Sequence, residues 1–239
     1  MNYSVAPTPG MERLREFIFR ALTLMHAAAL EHPEMAPEDM DDLLVGRLIV
    51  RECGECVACC VYPSISGESV DATPEVPAKA AGVKCVHCTN TGCGIYARRP
   101  KVCKGYACLY SMGVVDERPD KALVAWTLQP DMNRPIDADG VPQMLLVGHC
   151  DDIDEVLDDA RNRQVVRDAL VQPSVAAVTL RSARVAVAFM PDGKVMQVEV
   201  NQADALKSAL VLETAKESKD WRHPFDCPAF LNTLQKHTD

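Results

Sequence analysis

The chain lacks both the long apolar run of a membrane span and the basic segments of a nucleic-acid-binding surface. Its longest hydrophobic stretches fall well short of the roughly 20 residues that cross a bilayer. It has 34 acidic and 25 basic residues, which give a formal charge of -9, and it has no run of Lys or Arg. Residues 1–10 show no basic region followed by an apolar run, as a secretion signal would. We therefore expect a cytoplasmic protein with no membrane or nucleic-acid partner.

The chain also lacks the glycine-rich motifs of nucleotide-binding folds. Neither a G-x-G-x2-G fingerprint nor a P-loop occurs, and no segment is repeated. A length of 239 residues with 48% hydrophobic content is nevertheless enough to bury a full core. We therefore expect a folded protein that does not depend on a bound nucleotide or metal for all of its stability.

Cysteine is the residue that the chain has in unusual density. Nine of the eleven cysteines lie between residues 53 and 108. They are Cys53, Cys56, Cys59, Cys60, Cys85, Cys88, Cys93, Cys103 and Cys108. Cytosolic thiols stay reduced, so a dense group of cysteines in that compartment indicates metal ligands rather than disulfides. Thiolates are soft ligands that suit zinc or iron–sulfur clusters, and all nine are therefore candidate ligands.

The spacing of these cysteines is compatible with two kinds of metal centre. Cys53, Cys56 and Cys59 have the C-x2-C-x2-C spacing of bacterial ferredoxins, and a distant fourth cysteine would complete a [4Fe–4S] site. Alternatively, the pair Cys56 and Cys59 and the pair Cys85 and Cys88 resemble zinc knuckles that hold one or two zinc ions. The sequence leaves both possibilities open.

The order and spacing of the motif resemble the bacterial YkgJ-like family. The resemblance rests on the run Cys53-x2-Cys56-x2-Cys59-Cys60 and on Cys85-Val-His-Cys88-x4-Cys93-Gly-Ile-Tyr96-Ala-Arg-Arg99-Pro100-x2-Cys103, and it covers about residues 46–118. It implies a zinc- or iron-chelating domain but no particular reaction. A related domain occurs in flagellin lysine methylases, which are associated with an iron–sulfur cluster. Lys104 stands where that pattern more often has Arg, and residues 119–239 show no such match, so we do not infer methyl transfer.

Three further residues of the motif are candidates for binding the cofactor. His87 lies inside the second C-x2-C step, where we expect it to hydrogen-bond at the site rather than to ligate metal. Tyr96 and Arg99 belong to the motif that leads to Cys103. We expect the Arg99 guanidinium to offset thiolate charge; the alternative is that it binds an anionic ligand.

The two remaining cysteines are weaker candidates. His149 and Cys150 are neighbours on a predicted strand, so their side chains would face opposite sides of the sheet and could not form a nucleophile–base pair. We therefore expect Cys150 to be a core thiol. Cys227, near the end of the chain, is a candidate for reaching back to the cysteine cluster.

Hydrophobic periodicity predicts an α+β protein. Helices are expected over residues 11–30, 37–50, 203–216 and 228–235, with another that opens at Asp152 and ends by Pro173. Strands are expected over residues 122–128, 143–148, 175–180, 185–190 and 195–200, with a hairpin turn at residues 191–194. This order predicts a mostly antiparallel sheet with packed helices. The domains would be N-terminal helices over 1–50, a cysteine-cluster module over 51–118, and an α+β domain over 119–239.

These observations predict a metal-binding protein with an iron–sulfur cluster or zinc and a redox, metal-handling or accessory role. Its first partner would be the metal or cluster, and a protein partner is possible. Two alternatives stay open. One is an enzyme, such as a protein-modifying transferase, whose substrate pocket lies beside the cluster. The other is an interaction module built on structural zinc.

Overall fold

A computed structural model describes residues 8–35, 37–65, 78–99, 101–104, 106–131, 137–199 and 216–217. The predicted helix at 228–235 lies outside these residues, as do Pro100 and Cys227. The predicted helix at 203–216 also lies outside them, except for Lys216, which belongs to a strand.

Two helices precede the cysteines, as the periodicity predicted. Helix α1 (Pro9–Glu31) begins after Thr8, whose side chain accepts a hydrogen bond of 3.1 Å from the backbone N–H of Met11. Its buried stripe is Leu14, Phe17, Ile18, Ala21 and Ala28. Helix α2 (Pro37–Leu48) buries Leu44 and Leu48 and leads the chain to Cys53.

Short elements separated by turns make up the cysteine module. In chain order they are α3 (Ala58–Val61), β1 (Cys88–Thr89), β2 (Gly92–Cys93), a turn of 3-10 helix (Tyr96–Arg98), α4 (Lys101–Lys104) and α5 (Pro119–Ala122). None of these elements has more than four residues. Their positions therefore depend on contacts with the rest of the molecule.

The second half of the chain forms a sheet whose strands are hydrogen-bonded in chain order. The strands are β3 (Val124–Pro130), β4 (Met144–Cys150), β5 (Val175–Arg181), β6 (Val185–Phe189), β7 (Val195–Glu199) and β8 (Lys216–Glu217). β4 and β5 are parallel, and every other neighbouring pair is antiparallel. The predicted α+β class and mostly antiparallel sheet are therefore confirmed, and the hairpin turn at 191–194 joins β6 to β7.

The connection between the parallel strands differs from the prediction in one respect. Two helices, α6 (Ile153–Asp158) and α7 (Ala160–Leu170), replace the single expected helix. Asp159 separates them because its backbone is extended (φ −79°, ψ 121°) and its carboxylate accepts a hydrogen bond of 2.7 Å from the N–H of Arg161. Asp159 thus ends α6 and caps the N-terminus of α7.

One face of the sheet packs on the helices and forms the main core. The core contains Trp126, Leu146, Val178 and Phe189 from the strands together with part of α7 and most of the α1 stripe, from Leu14 to Ala21. Gly148 allows this close packing. A Cβ there would lie 2.6 Å from Cζ3 of Trp126, 2.7 Å from Cδ2 of Leu180 and 2.8 Å from Cγ2 of Val124.

The other face of the sheet carries a row of side chains near the cysteine module. Ala125 lies opposite His149 across β3 and β4, and His149 lies opposite Arg181 across β4 and β5. All three residues are buried. Cys150 points to the opposite face and joins the main core, as the alternation along a strand predicted. Within the described residues, no helix combines the length and apolar character needed to cross a membrane.

Candidate metal centre

Eight of the nine clustered cysteines line one cavity of about 140 Å³. They are Cys53, Cys56, Cys59, Cys60, Cys85, Cys93, Cys103 and Cys108. The remaining one, Cys88, lies opposite Cys93 in the β1–β2 hairpin, and all nine thiols are free. Residues that are up to 55 positions apart in the sequence therefore come together around one space (108 − 53 = 55).

Backbone hydrogen bonds hold the cysteine segments in place. The N–H of Cys56 donates to the carbonyl of Cys53 at 3.2 Å and closes the first C-x2-C turn. The N–H of Cys85 donates to the carbonyl of Cys60 at 2.8 Å, so the second cysteine group is tied directly to the first. The N–H of Cys88 then donates to the carbonyl of Cys85 at 3.0 Å and closes the second C-x2-C turn.

The adjacent pair Cys59 and Cys60 differs from expectation. An extended backbone would turn their side chains to opposite sides, but both residues lie in helix α3. A side-chain hydrogen bond links the two thiols and is the largest cause that raises the pKa of Cys60, followed by burial. A helical backbone brings neighbouring side chains to within about 100° of each other, because it has about 3.6 residues per turn.

The thiols fall into two neighbourhoods inside the cavity. Burial raises the pKa of Cys53 to about 11, and the thiols that add to this shift are Cys108 and Cys56. Burial likewise raises the pKa of Cys103 to about 11. The thiols that add to this second shift are Cys85, Cys60 and Cys93. Cys59 lies between the neighbourhoods, since it interacts both with Cys60 and with Tyr106 beside Cys108.

A buried lysine that the sequence analysis did not single out lies beside the second neighbourhood. Lys79 is 8% exposed, and its ammonium donates to the carbonyls of Val61 (3.0 Å) and Pro63. Burial lowers its pKa, and the surrounding thiols, first Cys85 and Cys60, oppose that shift. The cost of burying an ammonium must be offset by hydrogen bonds or by negative charge. In the sequence, Lys79 is only a single Lys in a proline-rich loop, so its burial could not be predicted.

Arg99 lies between the two neighbourhoods. Its guanidinium stacks on the Tyr96 ring at 3.8 Å, and its Nε donates to the Tyr96 carbonyl at 3.2 Å. Nη1 reaches the carbonyl of Cys103 at 3.5 Å. The charge of Arg99 lowers the pKa of both Cys53 and Cys103, although burial keeps both values raised.

The other two candidates from the motif also line the cavity. Tyr96 is 58% exposed and holds Arg99 by the stacking contact. The carbonyl of His87 accepts a hydrogen bond of 2.9 Å from the N–H of Gly94, which anchors the loop that carries Cys88 and Cys93. The structure thus gathers His87, Tyr96 and Arg99 with the cysteines.

A third cation, Arg118, lies on the side of Cys53 and Cys56. Arg118 forms a two-pronged ion pair with Asp120, with hydrogen bonds of 2.6 and 2.7 Å. The charge of Arg118 lowers the pKa of Cys53. Planar pairing of this kind keeps the guanidinium in a fixed orientation beside the thiols.

The ligand assignment itself stays a prediction. Among the residues that the structure describes, no group of three or more His, Cys, Asp or Glu side chains is arranged as a site for one metal ion. Comparisons with models of protein families, with curated proteins and with solved structures find no match to this chain. The resemblance to the YkgJ-like family therefore also stays a prediction.

Proposed function

We propose that the nine clustered thiols hold a metal centre, with an iron–sulfur cluster as the first candidate and one or two zinc ions as the alternative. The observation that carries the proposal is the single cavity lined by eight free cysteines. None of the nine cysteines forms a disulfide. This many thiolates suit a soft metal as their partner. The role would be redox, metal handling or service to another protein.

The size of the cavity favours a cluster over a single zinc ion. A volume of about 140 Å³ has room for on the order of ten water-sized groups. A tetrahedral zinc site closes on its ion, with sulfurs at about 2.3 Å, and needs no such space. A cluster with its own sulfides fills more volume and takes four cysteine ligands.

The charges around the cavity suit an anionic centre. Several thiolates around a metal leave a net negative charge, which is costly to bury unless cations lie nearby. Lys79, Arg99 and Arg118 each interact with one or more of the thiols. The buried thiols have raised pKa values in the absence of metal, so we expect metal binding to release protons and to weaken as the pH falls.

One observation favours an enzyme as the second candidate. The wall of the cavity includes Pro119 and Ala125, so the space reaches the surface of the sheet as well as the cysteine module. A substrate pocket beside a cluster would require such a junction. Turnover that depends on the loaded metal would support this candidate over an accessory role.

Anaerobic purification with elemental analysis and absorption spectroscopy tests the proposal. A brown protein that bleaches with dithionite supports the cluster, and a colourless protein with bound zinc supports the alternative. We expect Cys→Ser at Cys53, Cys56, Cys59, Cys85, Cys93 or Cys103 to lower the metal content, because a hydroxyl is a harder and less acidic donor. Cys150→Ser is the matched control, since Cys150 lies in the main core.

A metal-free protein after anaerobic preparation and reconstitution with iron, sulfide and zinc would contradict the proposal. Unchanged metal stoichiometry in all six serine variants would contradict the ligand assignment. The ligand roles of Cys60, Cys88 and Cys108 are tested by the same substitution.

A further inference from the structure

The Tyr106 hydroxyl is a buried polar group at the cysteine cavity, and it has no role among the proposed metal ligands. It lies between Cys103 and Cys108 and lines the cavity. The residue as a whole is partly exposed, but the hydroxyl oxygen is buried and has no hydrogen-bond partner within the described residues. Buried hydroxyls in folded proteins are nearly always hydrogen-bonded. A phenylalanine would fill the same position without an unpaired oxygen, so the hydroxyl calls for a partner.

The hydroxyl shares its cavity with eight thiols, which include Cys53, Cys56, Cys59 and Cys108. A phenol O–H is a hydrogen-bond donor. A thiolate or sulfide accepts hydrogen bonds and has none to give. The chemistry of the two groups is complementary.

His149 is the other polar neighbour, but its geometry is that of a ring contact. The Tyr106 and His149 rings are 6.2 Å apart between centroids and are inclined at 60°, which is an edge-on arrangement. Nδ1 of His149 is also buried without a partner in the described part of the chain. His149 therefore supports one edge of the Tyr106 ring and leaves the hydroxyl to the cavity.

We infer that the Tyr106 hydroxyl donates a hydrogen bond to a metal-bound sulfur of the centre proposed for the cysteine cavity. This inference rests on the proposed function, because it needs a metal-bound sulfur as the acceptor. Hydrogen bonds to the sulfurs of a cluster are among the factors that set its reduction potential. A donor stabilises the more negative, reduced form. Tyr106 is therefore a positioning and tuning residue of the centre.

Tyr106→Phe tests the inference, with Tyr110→Phe as the matched control. Tyr110 lies four residues further along, is absent from the cavity wall and contacts the Arg51 guanidinium, which lies 5.4 Å from its ring centre. In anaerobically prepared, iron-loaded protein, Tyr106→Phe should keep the wild-type iron content. Its reduction equilibrium should shift about tenfold toward the oxidised form, which is about 59 mV for a one-electron couple. Tyr110→Phe should match the wild type.

If the loaded metal is zinc, competition with a chelator replaces the potential as the readout. Tyr106→Phe should then bind zinc about tenfold more weakly than the wild type, because the thiolates lose a donor. For either metal, the stability of the metal-free protein toward denaturant provides a second measurement. Without metal the hydroxyl is an unpaired buried group, so Tyr106→Phe should be as stable as the wild type or more stable toward denaturant.

The possible failures are distinguishable. A wild-type protein that binds neither iron nor zinc would overturn the proposed function and this inference together. A loaded wild type whose potential or zinc affinity is unchanged by Tyr106→Phe would overturn this inference alone. Equal destabilisation of the metal-free and loaded forms would also overturn it, because it would show that the hydroxyl bonds to protein rather than to the centre.

Discussion

At the scale of single residues, the cysteine cavity combines partly buried thiols with cations that are held by fixed contacts. Arg99 is the clearest case, because its stacking on Tyr96 and its bonds to the carbonyls of Tyr96 and Cys103 leave it little freedom. Lys79 is held in the same way by backbone carbonyls. Each cation therefore supplies charge to the thiols without needing to reorganise when a metal binds.

We predict that Arg99→Ala weakens metal retention or lowers the reduction potential without removing a ligand. The reason is the loss of a positive charge that favours the thiolate forms of Cys53 and Cys103. Arg99→Lys should recover only part of the effect, because an ammonium keeps the charge but not the planar stack on Tyr96. Metal affinity and potential, measured on both variants, check this. Wild-type values in Arg99→Ala would favour a role in anion binding or at the surface.

His149 predicts a pH dependence of stability. Burial lowers its pKa to about 3, from 6.5 in the unfolded chain. Between these values the unfolded state binds a proton that the folded state does not, so stability is full above pH 6.5 and falls as the pH drops toward 3. The slope is at most about 1.4 kcal/mol per pH unit.

Denaturant unfolding of the chelator-treated protein at several pH values measures this slope. His149→Gln should have a shallower dependence over the same window, because it lacks the titrating group. Parallel curves for the two proteins would show that other groups cause the acid sensitivity.

At the scale of elements, the sheet separates the main core from the cysteine module. Residues that alternate along β3 and β4 belong to different environments: Trp126 and Cys150 lie in the main core, whereas Ala125 and His149 face the module. Both faces of the strands are buried there, which is why they read as nearly continuous apolar runs rather than as a clean alternation.

Gly148 tests how tightly the helix-covered face is packed. Gly148→Ala should lower the free energy of unfolding by about 1–3 kcal/mol, because the added methyl group would overlap Trp126, Leu180 and Val124. Gly46→Ala is the matched control, since a Cβ at this exposed helical position meets nothing within 4 Å. It should stabilise the protein by about 0.5–1 kcal/mol. Similar effects of the two substitutions on unfolding would contradict this account of the packing.

At the scale of the whole molecule, two sources of stability operate side by side. The main core joins α1, α7 and the sheet and contains large buried side chains such as Leu146, Leu180 and Phe189. The cysteine module has short elements, and before Cys108 its apolar packing is a small cluster of Cys56 and Ala58 with Ala125; after Cys108, Leu109 and Val114 join the main core. The proposed metal would therefore contribute most to the stability of the part that carries the cysteines.

We predict that metal removal loosens residues 53–108 while β5, β6 and β7 stay folded. Hydrogen exchange on metal-free and metal-bound protein measures this directly. Amides of the cysteine module should lose protection, and those within residues 175–199 should keep it, because the main core does not include the thiol ligands. A uniform loss of protection through residues 175–199 would show that the chain unfolds as one cooperative unit.

The sequence by itself determined the features that depend on short-range patterns. Three- and four-residue apolar steps defined α1 and α2, and partly alternating β-branched runs defined β5, β6 and β7. Gly193 with Asp192 marked the hairpin turn. The spacing of the cysteines identified the segment that forms the cavity. These signals are readable because each one lies within a few turns of helix or one strand pair.

Only the tertiary structure decided which distant residues meet. The parallel pairing of β4 and β5, the break at Asp159 and the helical backbone of Cys59 and Cys60 were not predicted. Lys79 beside Cys103, and Tyr106 against His149, join segments that no local pattern connects. Such contacts follow from how the sheet stacks against the module, and that stacking is decided by the burial of the whole chain rather than by any single stretch of it.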